Sequence, residues 1–471
     1  MQKTKNRRWL IGPKERKIIL IFGDVVAGVL ALLIALYAWA QKDQWISFSL
    51  QFLRERPPFW FYMMPAMWII LILDMYNVRK AGNRRETVQG ILIATVVASI
   101  AYLFIFFIAE PKTLPRRGVT VFIGAAAVLT LLWRFIYIRI FTAPTFLRRA
   151  LIIGAGRSGC TMARIVKNSV PIPFILVGFI DDDKQKAGKI IEGLPVLGNN
   201  EKLLHAIESE HVTDLIFSIS GEMQPETFNA ILQAKENGIE ITTMPILYEE
   251  LIGRVPIFLL EDDWILRSFV DHARSTSGYE TLKRIVDILV ATLGFLVMVV
   301  LTPLIAFLIM LDGGFPILFR QERVGISGKP FELLKFRTMR QDAEEDGKPR
   351  LAVENDERVT KVGKFLRKSH LDELPQFINV LRGDISMVGP RAERPEFVDQ
   401  LQKEIPFYRA RLFVKPGVTG WAQINYRYAS NIEESAIKLE YDLYYIKHRN
   451  IWLDITIILR TVGQVIGLRG V

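Results

Sequence analysis

The sequence predicts a membrane protein in three parts: a four-helix transmembrane bundle, a central Rossmann-like α/β domain, and a C-terminal domain entered through a re-entrant membrane helix. Three observations carry this. Four apolar runs of spanning length fill the first third, at about 18–40, 59–77, 88–109 and 118–141. A glycine-rich turn then stands between a strand and a helix near residue 154. Finally, a fifth apolar run at 285–311 introduces a stretch dense in arginine and glycine. The implied boundaries are 1–147, 148–270 and 271–471, with the re-entrant helix at 283–311.

Composition agrees with a mixed chain. Of 471 residues, 50% are hydrophobic, yet 23% are charged, so a substantial part faces water. Lys and Arg exceed Asp and Glu by 60 to 49. Lys3, Lys5, Arg7, Arg8, Lys14, Arg16 and Lys17 precede the first apolar run against only Glu15. That placement fits positive-inside anchoring rather than nucleic acid binding. The single Cys160 excludes an intrachain disulfide and suits a cytoplasmic setting for the soluble parts. The five histidines show no metal-ligand spacing.

The first run is too long for a signal-peptide core, although Ala38-Trp39-Ala40 mimics a cleavage site. Arg79, Lys80, Arg84 and Arg85 lie between runs two and three, and Arg139, Arg148 and Arg149 follow run four. With the basic N-terminus they mark the cytoplasmic side, outweighing Lys112, Arg116 and Arg117. Asp24 and Asp74 sit inside apolar runs, where basic neighbours are the expected partners.

The fifth run differs. Lys283 and Arg284 precede it, and Arg320, Arg323, Lys329, Lys335, Arg337 and Arg340 follow it. Basic residues on both flanks argue against a full crossing. Pro303 removes a helix hydrogen bond, so a break at Thr302-Pro303 is expected to turn the helix back.

In the middle domain, Ala150-Leu151-Ile152-Ile153 reads as a strand and Gly154-Ala155-Gly156-Arg157-Ser158-Gly159 as a GxGxxG turn into a helix. Gly154, Gly156 and Gly159 suit a pyrophosphate, and Asp181, ending the next strand, suits a ribose hydroxyl. The motif supports a nucleotide fold without fixing a chemistry. Tyr279-xxx-Lys283 resembles a dehydrogenase pair but lies at the mouth of the fifth run. A ligand-sensing or structural module is the expected role.

The last third carries Lys335-Phe336-Arg337, Leu366-Arg367, Leu371-Asp372-Glu373-Leu374-Pro375, Gly389-Pro390-Arg391 and Pro416-Gly417-Val418-Thr419-Gly420-Trp421-Ala422-Gln423. Arginine forks beside a membrane helix suit phosphates. On a helix, adjacent Asp372 and Glu373 would point about 100° apart, so they cannot face each other across a scissile bond as glycosidase carboxylates do. They could divide labour, one attacking phosphorus and the other holding a cation. Ser369 is a candidate N-cap for that helix, and Pro375 keeps the helix short. By themselves the pair also fits a solvated charged face.

The order of these motifs resembles the bacterial sugar transferase family, the monotopic phosphoglycosyl transferases, from about Leu282 to the C-terminus. With the preceding segments, the chain is similar to its long-form polyprenyl-phosphate hexose-1-phosphate transferases. The resemblance implies a mainly α catalytic domain with Asp372 as nucleophile and Glu373 as magnesium ligand. It implies phosphate-facing roles for Arg367 and Arg391, with Lys335 and Arg337 matching Lys-Phe-Arg. Arg427 matches the arginine after Trp-Ala-Gln, although Tyr426 replaces the usual glycine. His370 stands where Ser or Thr is usual, and Ala392 where Pro is usual. The implied reaction moves a sugar 1-phosphate from a UDP-sugar to polyprenyl (undecaprenyl) phosphate and releases UMP, initiating a surface polysaccharide. The expected site is the bacterial inner membrane, multi-pass, with homodimerisation and no nucleic acid. The alternatives are a membrane-tethered, NAD-dependent nucleotide-sugar dehydratase and a non-enzymatic scaffold.

Overall fold

A computed structural model describes residues 13–41, 47–76, 81–108, 115–141, 148–169, 172–219, 223–259, 277–340, 358–426 and 431–466. The chain divides into two compact units, Met1–Leu247 and Tyr248–Val471.

In the first unit the membrane bundle is built on α1 (Pro13–Ala40), α2 (Arg84–Ile108) and α3 (Arg116–Phe141). Small residues Ala27, Ala31 and Ala35 recur on one buried face of α1, where they permit close helix approach. Gly23 faces the Trp133 ring so closely that a Cβ there would overlap it at 1.9 Å. Between α1 and α3, Arg134 Nη2 donates to Asp24 Oδ2 at 2.7 Å, with both side chains fully buried. Arg134 also donates to the Met75 carbonyl at 3.1 Å. Asp24 thus has its basic partner, and the Asp74 side chain lies outside the described residues.

The second apolar run is not one helix. It forms the short helices Phe59–Tyr62 and Met64–Leu71 and a 3-10 turn, Leu73–Tyr76. Pro58 caps the first and Pro65 opens the second, since proline supplies no N–H to continue a preceding helix. Among the described residues, four helices are long and apolar enough to cross a membrane: Glu15–Ala40, Arg84–Phe107, Arg116–Phe141 and Gly278–Gly313. Three of them therefore precede the sheet, and the fourth opens the C-terminal domain.

The α/β domain is a six-stranded sheet of β1 (Arg148–Ile153), β2 (Phe174–Ile180), β3 (Ile190–Ile191), β4 (Leu194–Gly198), β5 (Asp214–Phe217) and β6 (Glu240–Thr243). The order is β3-β4-β2-β1-β5-β6, parallel except for the β3–β4 pair. The central strands β1 and β5 are the most buried, as inner strands of a parallel sheet are. Helix α4 (Arg157–Asn168) follows the glycine turn.

The second unit centres on α5 (Ser277–Gly313), which stays helical through Pro303. The break expected at Thr302-Pro303 is absent; Thr302 Oγ1 instead donates to the Met298 carbonyl at 2.7 Å, one turn back. Asp287, Ala291, Gly294, Met298, Leu301, Ile305, Ile309 and Asp312, spaced three or four apart, all pack on or bond to the rest of the unit. Leu289, Leu293, Val300, Leu304 and Leu311 are exposed on other faces.

Behind α5 come the hairpin of β7 (Leu318–Val324) and β8 (Pro330–Phe336), α6 (Lys361–Lys368) and α7 (Gln376–Arg382). They are followed by β9 (Ser386–Val388) and its parallel partner β10 (Gly417–Thr419), then α8 (Ile432–His448) and α9 (Ile451–Ile466). The domain is mainly helical, with two small strand pairs.

The boundary expected at 270/271 moves. Val255 and Ile257 are buried in the core of the second unit, and the Val255 amide donates to the Glu440 carbonyl at 3.1 Å. Trp421 Nε1 donates to the Gly253 carbonyl at 2.8 Å. A transferase fragment starting at 271 therefore loses part of its core. Compared in detergent with one starting at Met244, it should melt well below it, because removing two buried aliphatic side chains costs on the order of 2–5 kcal/mol each. Equal melting temperatures would contradict this packing.

Candidate active site

The dyad does not lie on a regular helix. Thr360 caps α6, accepting from the Gly363 amide at 3.0 Å, and Ser369 ends that helix rather than starting the next. Its hydroxyl donates back to the Phe365 carbonyl at 2.8 Å. His370 then adopts a left-handed conformation (φ 56°), which reverses the chain, and Leu371–Glu373 forms a single 3-10 turn. Pro375 starts α7. A non-glycine residue in this conformation is strained, and here it sets the direction of both carboxylates.

That direction separates them. Glu373 Oε1 accepts from Lys335 Nζ at 2.8 Å and from Arg391 Nη2 at 2.9 Å. Burial pushes the Glu373 carboxyl up, but Lys335 and then Arg391 outweigh it and hold it well below the usual carboxylate range. Asp372 is buried, and among the described residues its carboxyl makes no hydrogen bond or ion pair. Burial is the largest influence on it and raises its pKa, while Lys335, Arg367 and Arg391 pull the other way. The turn thus pairs one fixed anion with one buried, unengaged carboxyl.

Three segments converge on Glu373. Lys335 comes from β8, which Asn379 of α7 holds: its Oδ1 accepts from the Leu334 amide at 3.0 Å and its Nδ2 donates to the Glu332 carbonyl at 2.7 Å. Arg391 comes from the loop after β9. There Gly389 lies so near β10 that a Cβ on Gly420 would meet the Gly389 oxygen at 2.2 Å, so the two glycine motifs are mutually required. Arg411, buried and 2.9 Å from Asp442, donates to the Arg391 carbonyl at 2.9 Å.

Beside it, Glu393 meets Lys438 at 2.6 Å and Arg411 at 3.7 Å. Burial opposes its ionisation, yet Lys438 and Arg411 bring its pKa down to about 2. Burial also lowers Arg323 to about 10. Sequence reasoning missed Asn379, Arg411 and Glu393, since each acts through tertiary contacts; only the flanking Gly-Pro-Arg and Lys-Pro-Gly motifs hinted at them.

The other expected residues fall as follows. Arg367 Nε donates to Thr338 Oγ1 at 3.0 Å, on the turn before the dyad. Arg337 is directed away, donating to the Phe315 and Pro316 carbonyls at 2.9 and 3.3 Å. Arg427 lies outside the described residues. Among the described residues no group of three or more His, Cys, Asp or Glu is placed to hold a metal. A magnesium ion needs only one or two carboxylates when phosphates complete its shell, and the second oxygen of Glu373, which takes neither Lys335 nor Arg391, would be the protein ligand for one.

Tyr279 and Lys283 make no dehydrogenase site. Tyr279 donates to Asp454 at 2.9 Å, and Lys283 Nζ reaches Asp454 at 3.1 Å and the Val388 carbonyl at 3.0 Å. In the α/β domain Gly154 (φ 98°) turns the chain, and a Cβ on Gly159 would strike the Gly154 oxygen at 1.9 Å. Asp181 Oδ2 accepts from the Ala155 amide at 2.6 Å and from Lys186 at 3.1 Å. Gly156 faces open space.

Residues 278–467 match the bacterial sugar transferase family, and 71–245 match a CoA-binding domain. Over 218 residues (46% of this chain, 50% of that protein) the chain is 42% identical to a UDP-N-acetylgalactosamine-undecaprenyl-phosphate N-acetylgalactosaminephosphotransferase of Aeromonas hydrophila. It is 44% identical over 140 residues (30% of this chain, 78% of that protein) to a Bacillus subtilis protein provisionally named an undecaprenyl-phosphate N-acetylgalactosaminyl 1-phosphate transferase. A UDP-galactose-lipid carrier transferase of Erwinia amylovora is 27% identical over 445 residues, 90% of this chain and 84% of that protein. The chain thus spans about half the length of some of these relatives and most of others.

The buried network behind Arg391 sets a pH test. With a folded pKa of about 2, against about 4.3 in the unfolded chain, Glu393 stabilises the fold above about pH 4. That contribution fades as pH falls toward 2. Glu393→Gln should lower stability at neutral pH by on the order of 3 kcal/mol and flatten this acid limb. Thermal melts at several pH values check both, and an unchanged limb would show that Glu393 is not held as an anion.

Proposed function

This chain belongs to the bacterial sugar transferase family, and from that premise we propose that it transfers a sugar 1-phosphate from a UDP-sugar to undecaprenyl phosphate, releasing UMP. The observation that carries the proposal is the division within the dyad: Glu373 is fixed between Lys335 and Arg391, while Asp372 stays buried and unengaged. A carboxylate without a partner keeps its lone pairs available, and covalent catalysis lets a soluble donor and a lipid acceptor use one site in turn.

In the first step an Asp372 oxygen bonds to the phosphorus bearing the sugar. The bond from that phosphorus to the bridging oxygen breaks, and the electron pair leaves on UMP. In the second step an oxygen of the lipid phosphate attacks the same phosphorus and returns the Asp372 carboxylate. Lys335, Arg391 and Arg367 supply positive charge that lets two anions approach. Glu373 would hold magnesium together with the donor phosphates, and the ion would supply charge neutralisation there.

We also place the second unit on the cytoplasmic face of the inner membrane, with α5 entering the bilayer without crossing it. Basic residues on both flanks support this, although the helix does not turn back at Pro303. In the α/β domain, a nucleotide would meet Gly154, Gly156, Gly159 and Asp181, and its ribose would have to displace Lys186 from Asp181. The dehydratase alternative loses its Tyr-Lys pair to Asp454.

Asp372→Asn should abolish UMP release and any adduct, whereas Glu373→Gln should cut turnover by on the order of 10²-fold or more and weaken the response to magnesium. Donor labelled in the sugar, given without lipid, should leave label on the peptide containing Asp372. Kinetics that require both substrates at once, with no adduct, would replace this mechanism by direct attack. Because burial raises Asp372, kcat/KM should climb with pH through a pKa above the ordinary value of about 3.9. An acid limb at or below that value would contradict the assignment.

A further inference from the structure

An open groove of about 680 Å³ lies where α2 begins and α3 ends, lined by Arg84, Arg85, Val88, Gln89, Phe135 and Arg139. Other arginines of this unit are paired: Arg134 with Asp24, Arg148 with Asp214 at 2.8 Å, Arg149 with Glu210 at 2.9 Å. Arg84, Arg85 and Arg139 meet no carboxylate among the described residues. The nearest acid in sequence, Glu86, accepts from the Asn83 amide at 3.4 Å. Asn83 Oδ1 also takes the amides of Arg85 and Glu86, so the free donors in the groove are side chains rather than the helix end. The flanking segments 77–80 and 142–147 contain no acidic residue.

Three unpaired guanidinium groups on one groove repel one another, and a shared anion relieves that repulsion. Phosphate is the natural match, because its oxygens fit the guanidinium fork. The positive-inside rule explains cations at this end of the bundle, but it does not require them to converge on one groove. Below the cations the groove turns apolar. Val88 and Phe135 form its walls, and the exposed Leu92 and Val96 on α2 with Leu132 and Val128 on α3 continue that surface along the helices. A charged head above and an apolar track below describe an amphiphile. The track is uncovered along its length, as for a lipid lying against the outer face of a bundle.

We propose that this groove binds the phosphate of an anionic phospholipid from the surrounding leaflet. The test is native mass spectrometry of the full-length protein in detergent, titrated with phosphatidylglycerol or phosphatidylcholine. One phosphatidylglycerol should bind at least tenfold more tightly than phosphatidylcholine, and salt should weaken it. The triple variant Arg84→Gln, Arg85→Gln, Arg139→Gln should lose that preference. Because it also removes charges that orient the helices, the triple Arg→Lys variant serves as the second probe. It keeps the charge but not the forks, and should bind at least threefold more weakly. Equal binding of the two lipids, or a Lys variant with unchanged affinity, would overturn the proposal. So would displacement of phosphatidylglycerol by millimolar inorganic phosphate, or preference for undecaprenyl phosphate over phosphatidylglycerol.

Discussion

Glu373 accepts from two cations through one oxygen, and the arrangement of the second unit follows from it. Lys335 arrives from the β7–β8 hairpin, Arg391 from the loop after β9, and the carboxylate itself from the 3-10 turn between α6 and α7. No two of these are neighbours in sequence. Fixing Glu373 therefore fixes three segments, and it decides what remains for Asp372. Lys335 and Arg391 act on both carboxylates, but their hydrogen bonds go to Glu373. With Glu373 taking Lys335 and Arg391, the Asp372 carboxyl is left buried and without a partner. On the proposed mechanism, a carboxylate already paired would make the poorer nucleophile, so the ion pair on Glu373 would leave Asp372 available.

The support behind this pair is itself ionic. Arg411 is buried against Asp442 and spends one N–H on the Arg391 carbonyl, so a structural charge pair sets the backbone of the loop that carries Arg391. On the far side of β9, Lys283 at the start of α5 donates to the Val388 carbonyl and pairs with Asp454 of α9. Asp287, one turn further, accepts from Ser386 Oγ and the Met387 amide, each at 3.0 Å. The strand leading to Gly-Pro-Arg is thereby tied to the membrane helix by charged groups that would be costly to bury alone.

How much of this was legible in sequence depended on whether the signal was local. The glycine turn into α4 and the Asp-Glu, Gly-Pro-Arg and Trp-Ala-Gln segments were readable because each is contiguous. Ser369 was misread because serine suits either side of a helix end, and only the left-handed His370 shows which helix it closes. Arg337 shares a motif with Lys335, yet it leaves the strand end toward the Phe315 and Pro316 carbonyls. The second apolar run had spanning hydrophobicity, but Pro65 opens a new short helix within it. Val255 and Ile257 gave no warning, because two aliphatics around Pro256 carry no periodicity; only tertiary packing assigns them to the C-terminal core.

The stripe along α5 bears on how such a unit can sit at a membrane. At 1.5 Å per residue, 37 residues make a helix of about 55 Å, longer than a hydrocarbon core of about 30 Å. Length alone would permit a crossing. However, a helix crossing upright must give some 20 consecutive residues to lipid or other apolar helices. On α5 the contacts from Asp287 to Asp312 recur every three or four residues, and Pro303 does not interrupt them. Those contacts lead to β8, α6 and α7, the elements that carry Lys335, Arg367 and the turn of Asp372. An upright crossing would draw these charged elements into hydrocarbon, at several kcal/mol for each unpaired ion. The sequence demands that the exposed apolar side of α5 meet lipid, and the stripe demands that its other side stay with the polar domain. The proposed entry of α5 without crossing would meet both, and would hold the dyad at the boundary, within reach of the proposed soluble donor and lipid phosphate.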